Sequence, residues 1–158
     1  MHFRNILKES DIKAIEDILI SSGFFYDFEV PVALETVRDN FEKGEEASGY
    51  IFIIAEEDGI PVAFACYGKS PCTVESFDLY WIAVHENQKA KGIGKQLMGL
   101  IEADIVKRKG KNIWIDTSSR ALYEPTRQFY LKQGCEIVAE LPDFYAMGDS
   151  KVVFLKKV

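Results

Sequence analysis

The sequence is poor in residues that cross-link or chelate. Its three cysteines, Cys66, Cys72 and Cys135, are odd in number and scattered, and its two histidines, His2 and His85, fall at no zinc-ligand spacing. The reading is therefore reduced thiols, no disulfide framework and no metal. No apolar run approaches the roughly 20 residues that span a bilayer, and the opening MHFRNILKESD has no secretory apolar core. The expectation is a cytoplasmic protein with no membrane partner. Lys and Arg number 19 against 25 Asp and Glu, a net charge of −6, which excludes a general nucleic-acid surface, since that needs a basic face. Repeats, low-complexity tracts and linkers are also lacking. A chain of 158 residues at 47% hydrophobic content suits one packed domain, residues 1–158.

What is present alternates between strand-like and helix-like runs. HFRNIL reads as a strand, and Ser10 and Asp11 read as caps of the helix IKAIEDILISS, closed by Gly23. A second helix is expected from Pro31 to Phe41, with residues 42–46 as a solvated tail. GYIFIIAEEDGIPVAFACYG reads as a hairpin turning at Asp58-Gly59. A strand from Glu75 to Val84, a helix from Gly92 to about Arg108, the strand NIWIDT and a helix from Glu124 to Lys132 follow. Two last strands are expected near Glu136–Leu141 and Val152–Lys156, with a long connection between them. This order makes a mixed sheet with helices on its faces.

The densest chemistry lies in WIAVHENQKAKGIGKQLMGLIE, residues 81–102. A strand ends at Val84, a lysine- and glycine-rich loop follows, and Ile93, Leu97, Leu100, Ile101 and Ile105 form one apolar stripe. The loop thus opens a helix, where unbonded N–H groups and the positive end of the dipole attract an anion and glycines admit its oxygens. Lys89, Lys91 and Lys95 add positive charge. A soluble turn shaped by Gly92 and Gly94 is the plainer alternative. A Walker loop does not fit. Nor does the dinucleotide fingerprint, because Leu97 stands where its third glycine or alanine belongs.

The loop resembles the phosphate loop of the GNAT superfamily of N-acetyltransferases. There a valine ends a strand and Arg/Gln-x-x-Gly-x-Gly/Ala opens a helix; here stand Val84 and Lys89-Ala90-Lys91-Gly92-Ile93-Gly94. YEPTRQFYLKQGCEIVAELPDFY is similar to the family's second block, with Tyr130 four residues before Gly134. Lys89 replaces a planar fork with a point charge, and Tyr123 stands where an asparagine is common.

The resemblance implies a GNAT-like fold: a mixed, mostly antiparallel twisted sheet of about seven strands flanked by about four helices. It implies an acetyl-CoA-dependent N-acetyltransferase acting on a small-molecule or protein amine by direct attack, with coenzyme A as cosubstrate; a homodimer is compatible with it. The implied cofactor contacts are Ile82, Ala83 and Val84 on the strand, Lys89, Ala90, Lys91, Gly92, Ile93, Gly94 and Lys95 in the loop, and Tyr123, Arg127 and Tyr130 in the second block. Tyr130 is the implied acid for the leaving thiolate. A base is needed because an alkyl amine of pKa near 10.4 is almost wholly protonated at neutral pH. Strand alternation puts Asp78, Tyr80, Ile82 and Val84 on one face. Asp78 and Tyr80 are the candidates there, with Glu75 and Asp116 as competitors. For the acceptor, Asp143 and Asp149, or Tyr26, Phe28 and Glu29, could draw a cation, and Arg120 or Arg127 a carboxylate. The alternative function is a non-catalytic CoA or acyl-CoA sensor of the same fold.

Overall fold

A computed structural model describes residues 1–158. Seven strands form one sheet in the order β1-β2-β3-β4-β5-β7-β6. They are β1 (His2–Arg4), β2 (Ile51–Glu57), β3 (Ile60–Lys69), β4 (Ser76–Val84), β5 (Asn112–Ser118), β6 (Glu136–Ala146) and β7 (Asp149–Lys157). The helices are α1 (Asp11–Ser22), α2 (Glu29–Ser48), α3 (Ile93–Lys107) and α4 (Glu124–Lys132). The expected mixed sheet with four helices is what the chain forms; β4 and β5 run parallel, and the other registers described are antiparallel. The chain forms two compact units, Met1–Gly68 with Trp81–Ile101, and Lys69–Tyr80 with Glu102–Val158.

In the first unit, Ile15, Ile18 and Leu19 of α1 and Leu34 and Val37 of α2 pack with Phe52, Ile54, Phe64 and Ala83 of the strands. The β2–β3 hairpin turns at Asp58 and Gly59, both with positive φ, which is the conformation that a two-residue hairpin turn with the right twist demands. Two expectations change here. Ser10 makes no side-chain cap bond. Instead the buried carboxylate of Asp11 accepts the Lys8 amide at 2.7 Å and the Arg4 guanidinium at 2.6 and 2.8 Å, while Arg4 Nε also reaches Glu56 at 2.6 Å. That network ties β1 to α1 and to β2 and holds the Glu56 carboxyl below its usual pKa, chiefly through the Arg4 hydrogen bond. Secondly, α2 extends to Ser48 past a non-helical Gly44, because the Glu- and Lys-rich stretch expected as a tail is made of good helix formers.

In the second unit, β4 pairs with β5 over Ser76–Leu79 and Asn112–Ile115, and β5 pairs with β7 along its whole length. Helix α3 ends in a Schellman arrangement. Lys109, left-handed at φ 63°, donates to the Val106 carbonyl at 3.0 Å, and Gly110 donates to that of Ile105 at 2.9 Å. A Cβ on Gly110 would lie 2.5 Å from Ile105 Cγ2 and 2.6 Å from Phe77 Cε2, so only glycine fits beneath that ring.

The C-terminal hairpin differs from expectation. The two strands extend to Ala146 and from Asp149, which leaves only Met147 and Gly148 between them. The register slips between Leu141 and Ala146, where Pro142 supplies no N–H and Asp143 takes φ 52°. This excursion breaks the alternation that marks a strand, which is why the segment resembles a loop in sequence. All of β6 is exposed.

Candidate active site

Between β4 and α3 the chain makes a short 3-10 turn at Glu86–Gln88, then Ala90 at φ 64° and Gly92 at φ 78°. The carbonyl of Gly92 accepts from Gln96 at 3.1 Å, which makes Gly92 the cap of α3. The amides of Ile93, Gly94 and Lys95 therefore have no carbonyl one turn back within the helix. A Cβ on Gly92 would meet nothing within 4 Å; this glycine is required by its φ and leaves open space beside the donors. Backbone donors, left-handed residues and the start of a 15-residue helix suit a phosphate-like anion.

Two of the three loop lysines already have partners within the chain. The Lys89 ammonium pairs with the Glu86 carboxylate, lies 3.4 Å from the Ser22 carbonyl and sits 4.5 Å over the Phe24 ring. Lys91 donates to Gln88 Oε1 at 2.6 Å. On β4, Ala83 is buried and Ile82 and Val84 are half-buried.

In the second unit Asp78 is half-buried, on the opposite face from buried Phe77 and Leu79, with Trp114 as its register partner. Tyr80 is 37% exposed. The competing bases are each paired with lysine: Glu75 with Lys111 at 2.7 Å and Asp116 with Lys151 at 2.7 Å.

Tyr130 lies on α4, only 4% exposed, its ring 5.3 Å from Phe154 and 5.4 Å from Phe129. Burial raises its phenol pKa above the ordinary value, with smaller contributions from Cys135 and Tyr123. Burial likewise pushes the Cys135 thiol up to about 11. Tyr123 is buried under the Arg120 guanidinium, 5.1 Å from the ring centre. The Arg127 guanidinium donates to the carbonyls of Ser118 and Arg120 at 2.7 and 2.9 Å and to Glu124 Oε2 at 2.6 Å.

Asp149, expected as a charge in an acceptor loop, is instead 2% exposed at the start of β7 and bonded by Ser118 Oγ at 2.5 Å. Asp143 accepts the Gly148 amide at 2.7 Å, inside the hairpin turn. Tyr26 and Phe28 stack at 5.1 Å, and Glu29 accepts the Tyr26 amide at 2.6 Å. Sequence reasoning missed the Ser118–Asp149 pair, since nothing local marks two residues 31 positions apart as partners.

The sequence profile of the acetyltransferase (GNAT) family matches residues 12–135. The chain superposes on a Desulfovibrio desulfuricans protein assigned to the GNAT family with a TM-score of 0.95 and 35% identity, over 99% of this chain and 98% of that one. It also superposes on an aminoglycoside 6'-N-acetyltransferase complexed with coenzyme A, with a TM-score of 0.78 and 18% identity over 99% and 97% of the two chains. A third is the ribosomal-protein-S18-alanine N-acetyltransferase of Escherichia coli, with a TM-score of 0.76 and 16% identity over 99% and 93%. No curated protein matches in sequence. No helix is long and apolar enough to cross a membrane, and no group of metal-ligating side chains is present.

Proposed function

Since the chain belongs to the GNAT acetyltransferase family, we propose that residues 1–158 act as one cytoplasmic N-acetyltransferase domain, moving an acetyl group from acetyl-CoA to a primary amine of a small molecule or protein. The observation that carries this reading is the open start of α3, with Ala90 and Gly92 left-handed before it. The amides of Ile93, Gly94 and Lys95 hold the pyrophosphate, and Lys91 and Lys95 contribute charge from the loop. Lys89 is largely spent on Glu86 and Phe24, and Arg127 on carbonyls of its own chain, so backbone donors do most of the holding.

The amine nitrogen attacks the thioester carbonyl, a C–N bond forms, the C–S bond breaks and the amine loses a proton. Strand N–H groups at Ala83 and Val84 polarise the carbonyl. Asp78, directly or through water and Tyr80, takes the amine proton. Tyr130 gives its proton to the departing thiolate. A phenol is neutral at physiological pH even at its ordinary pKa; burial raises that of Tyr130 and so weakens it as an acid, while an apolar setting raises the basicity of the leaving thiolate in the same direction and offsets that loss.

Two experiments test this. Titration calorimetry with acetyl-CoA should give binding, and absence of binding at millimolar cosubstrate would end the reading. In single-turnover assays with a panel of diamines, amino sugars and lysine peptides, Tyr130→Phe should keep acetyl-CoA affinity and slow thiol release by roughly 10 to 1,000-fold. The engaged Lys89 and buried Tyr123 favour one second reading, an acyl-CoA sensor. It predicts binding with no thiol release from any amine.

A further inference from the structure

The turn from β5 into α4 contains far more polar structure than a connection needs. Asp149 buries a carboxylate at the first position of β7, a costly placement unless every lone pair is met. Its Oδ1 accepts Ser118 Oγ at 2.5 Å and its Oδ2 lies 3.4 Å from Arg120 Nε. Ser118 Oγ in turn accepts the Arg120 amide at 3.1 Å. The neighbouring residues add a reciprocal pair: Ser119 N–H donates to the Ser150 carbonyl at 2.9 Å, and Ser150 N–H to Ser119 Oγ at 2.7 Å. From the other side, Arg127 of α4 holds the carbonyls of Ser118 and Arg120 through a single nitrogen.

The turn is thus gripped by β7 on one side and by α4 on the other. Arg127 and Tyr130 are three residues apart, so they lie on one face of α4. Whatever fixes Arg127 fixes the rotation and axial position of the helix turn that carries the phenol. Isolated surface ion pairs contribute little to stability, and a buried pair is weak evidence for it; a unique placement is what such a network can supply. Acid catalysis is sensitive to placement, since an error of about 1 Å can cost on the order of 100-fold in rate.

We propose that Ser118, Arg120, Arg127 and Asp149 form a clamp of positioning residues that sets α4 so that the Tyr130 hydroxyl meets the leaving group. This rests on the reading of Tyr130 as the acid.

The test is a double-mutant cycle in single-turnover thiol release, using poly-L-lysine or the fastest panel amine. Asp149→Asn keeps the shape and an acceptor for Ser118 while removing the charge. It should slow thiol release by about 10 to 100-fold and leave acetyl-CoA affinity within about twofold, because the cofactor loop is untouched. In the Tyr130→Phe background the same substitution should have almost no further effect on rate, since a misplaced donor that is already absent costs nothing. An equal slowing in both backgrounds, or lost affinity with unchanged rate, would overturn the clamp while leaving the acid role of Tyr130 intact. Tyr130→Phe at the wild-type rate would instead defeat the acid reading, and the clamp with it. If Asp149→Asn does not fold, Ser118→Ala runs the same cycle with the same criteria.

Discussion

The two ends of α3 treat their backbone in opposite ways. At the C-terminus, Lys109 and Gly110 turn back and satisfy the carbonyls of Val106 and Ile105, and Gly110 lies against Phe77 and Ile105 with no room for a methyl group. At the N-terminus the helix starts from Gly92 with open space around it, and its first amides are left to be met from outside the helix. One glycine is required by packing and the other by conformation. The contrast separates a helix end that has satisfied its polar groups from one that keeps donors and the positive pole of the dipole available, as the proposed cofactor site requires.

Substitutions at the two ends should therefore divide cleanly between stability and binding. The largest effect is expected from Gly110→Val, which forces side chain into Phe77 and Ile105. It should destabilise by about 2–3 kcal/mol, a Tm loss of roughly 5–10 °C in a thermal melt, with CoA affinity of the folded protein unchanged. Next comes Gly92→Val, whose positive φ is hostile to a β-branched residue. Titration calorimetry should show CoA affinity reduced by about tenfold or more as the amides rotate away, with a Tm change of a few degrees at most. Weakened affinity in the first variant, or intact affinity in the second, would break the comparison. Lys109→Gly sharpens it from the favourable side. Glycine suits the left-handed position now held by lysine, so a gain of about 0.5–1 kcal/mol is expected in denaturant unfolding, with no change in CoA binding. The smallest effect belongs to Lys89→Ala. It should weaken CoA binding by about 1 kcal/mol or less, because the ammonium is already paired with Glu86.

Features coded by a few adjacent residues were legible in the sequence. The Asp58-Gly59 turn and the limits of α4 at Glu124 and Lys132 follow from local chemistry, and they are where the residues place them. The loop opening α3 was legible for the same reason: glycine spacing and a following apolar stripe mark a backbone feature. Where long-range partners decide, the reading failed. Asp11 looks like a cap but is taken by Arg4 from β1. Asp149 looks like a solvated loop charge but is buried against Ser118. The length of the last hairpin was hidden because Pro142 and a left-handed Asp143 interrupt the alternating pattern. Of the candidate site, the loop-to-helix geometry at Gly92 was readable; the hydrogen-bonded group of Ser118, Arg120, Arg127 and Asp149 was not, because its members come from β5, the turn after it, α4 and β7.

The interruption in β6 also bears on how the protein behaves at high concentration. A strand at the end of a sheet is a template on which another chain can add, and each addition exposes a fresh template. Here an incoming strand would meet a first register shift between Ile137 and Ala139 and find regular backbone only along Ala139–Leu141. It would then meet Pro142, which has no amide hydrogen to offer, and the displaced segment carrying Phe144 and Tyr145. This edge is thus cut short of the length that sustained growth needs, and β6 carries its own terminator against polymerisation.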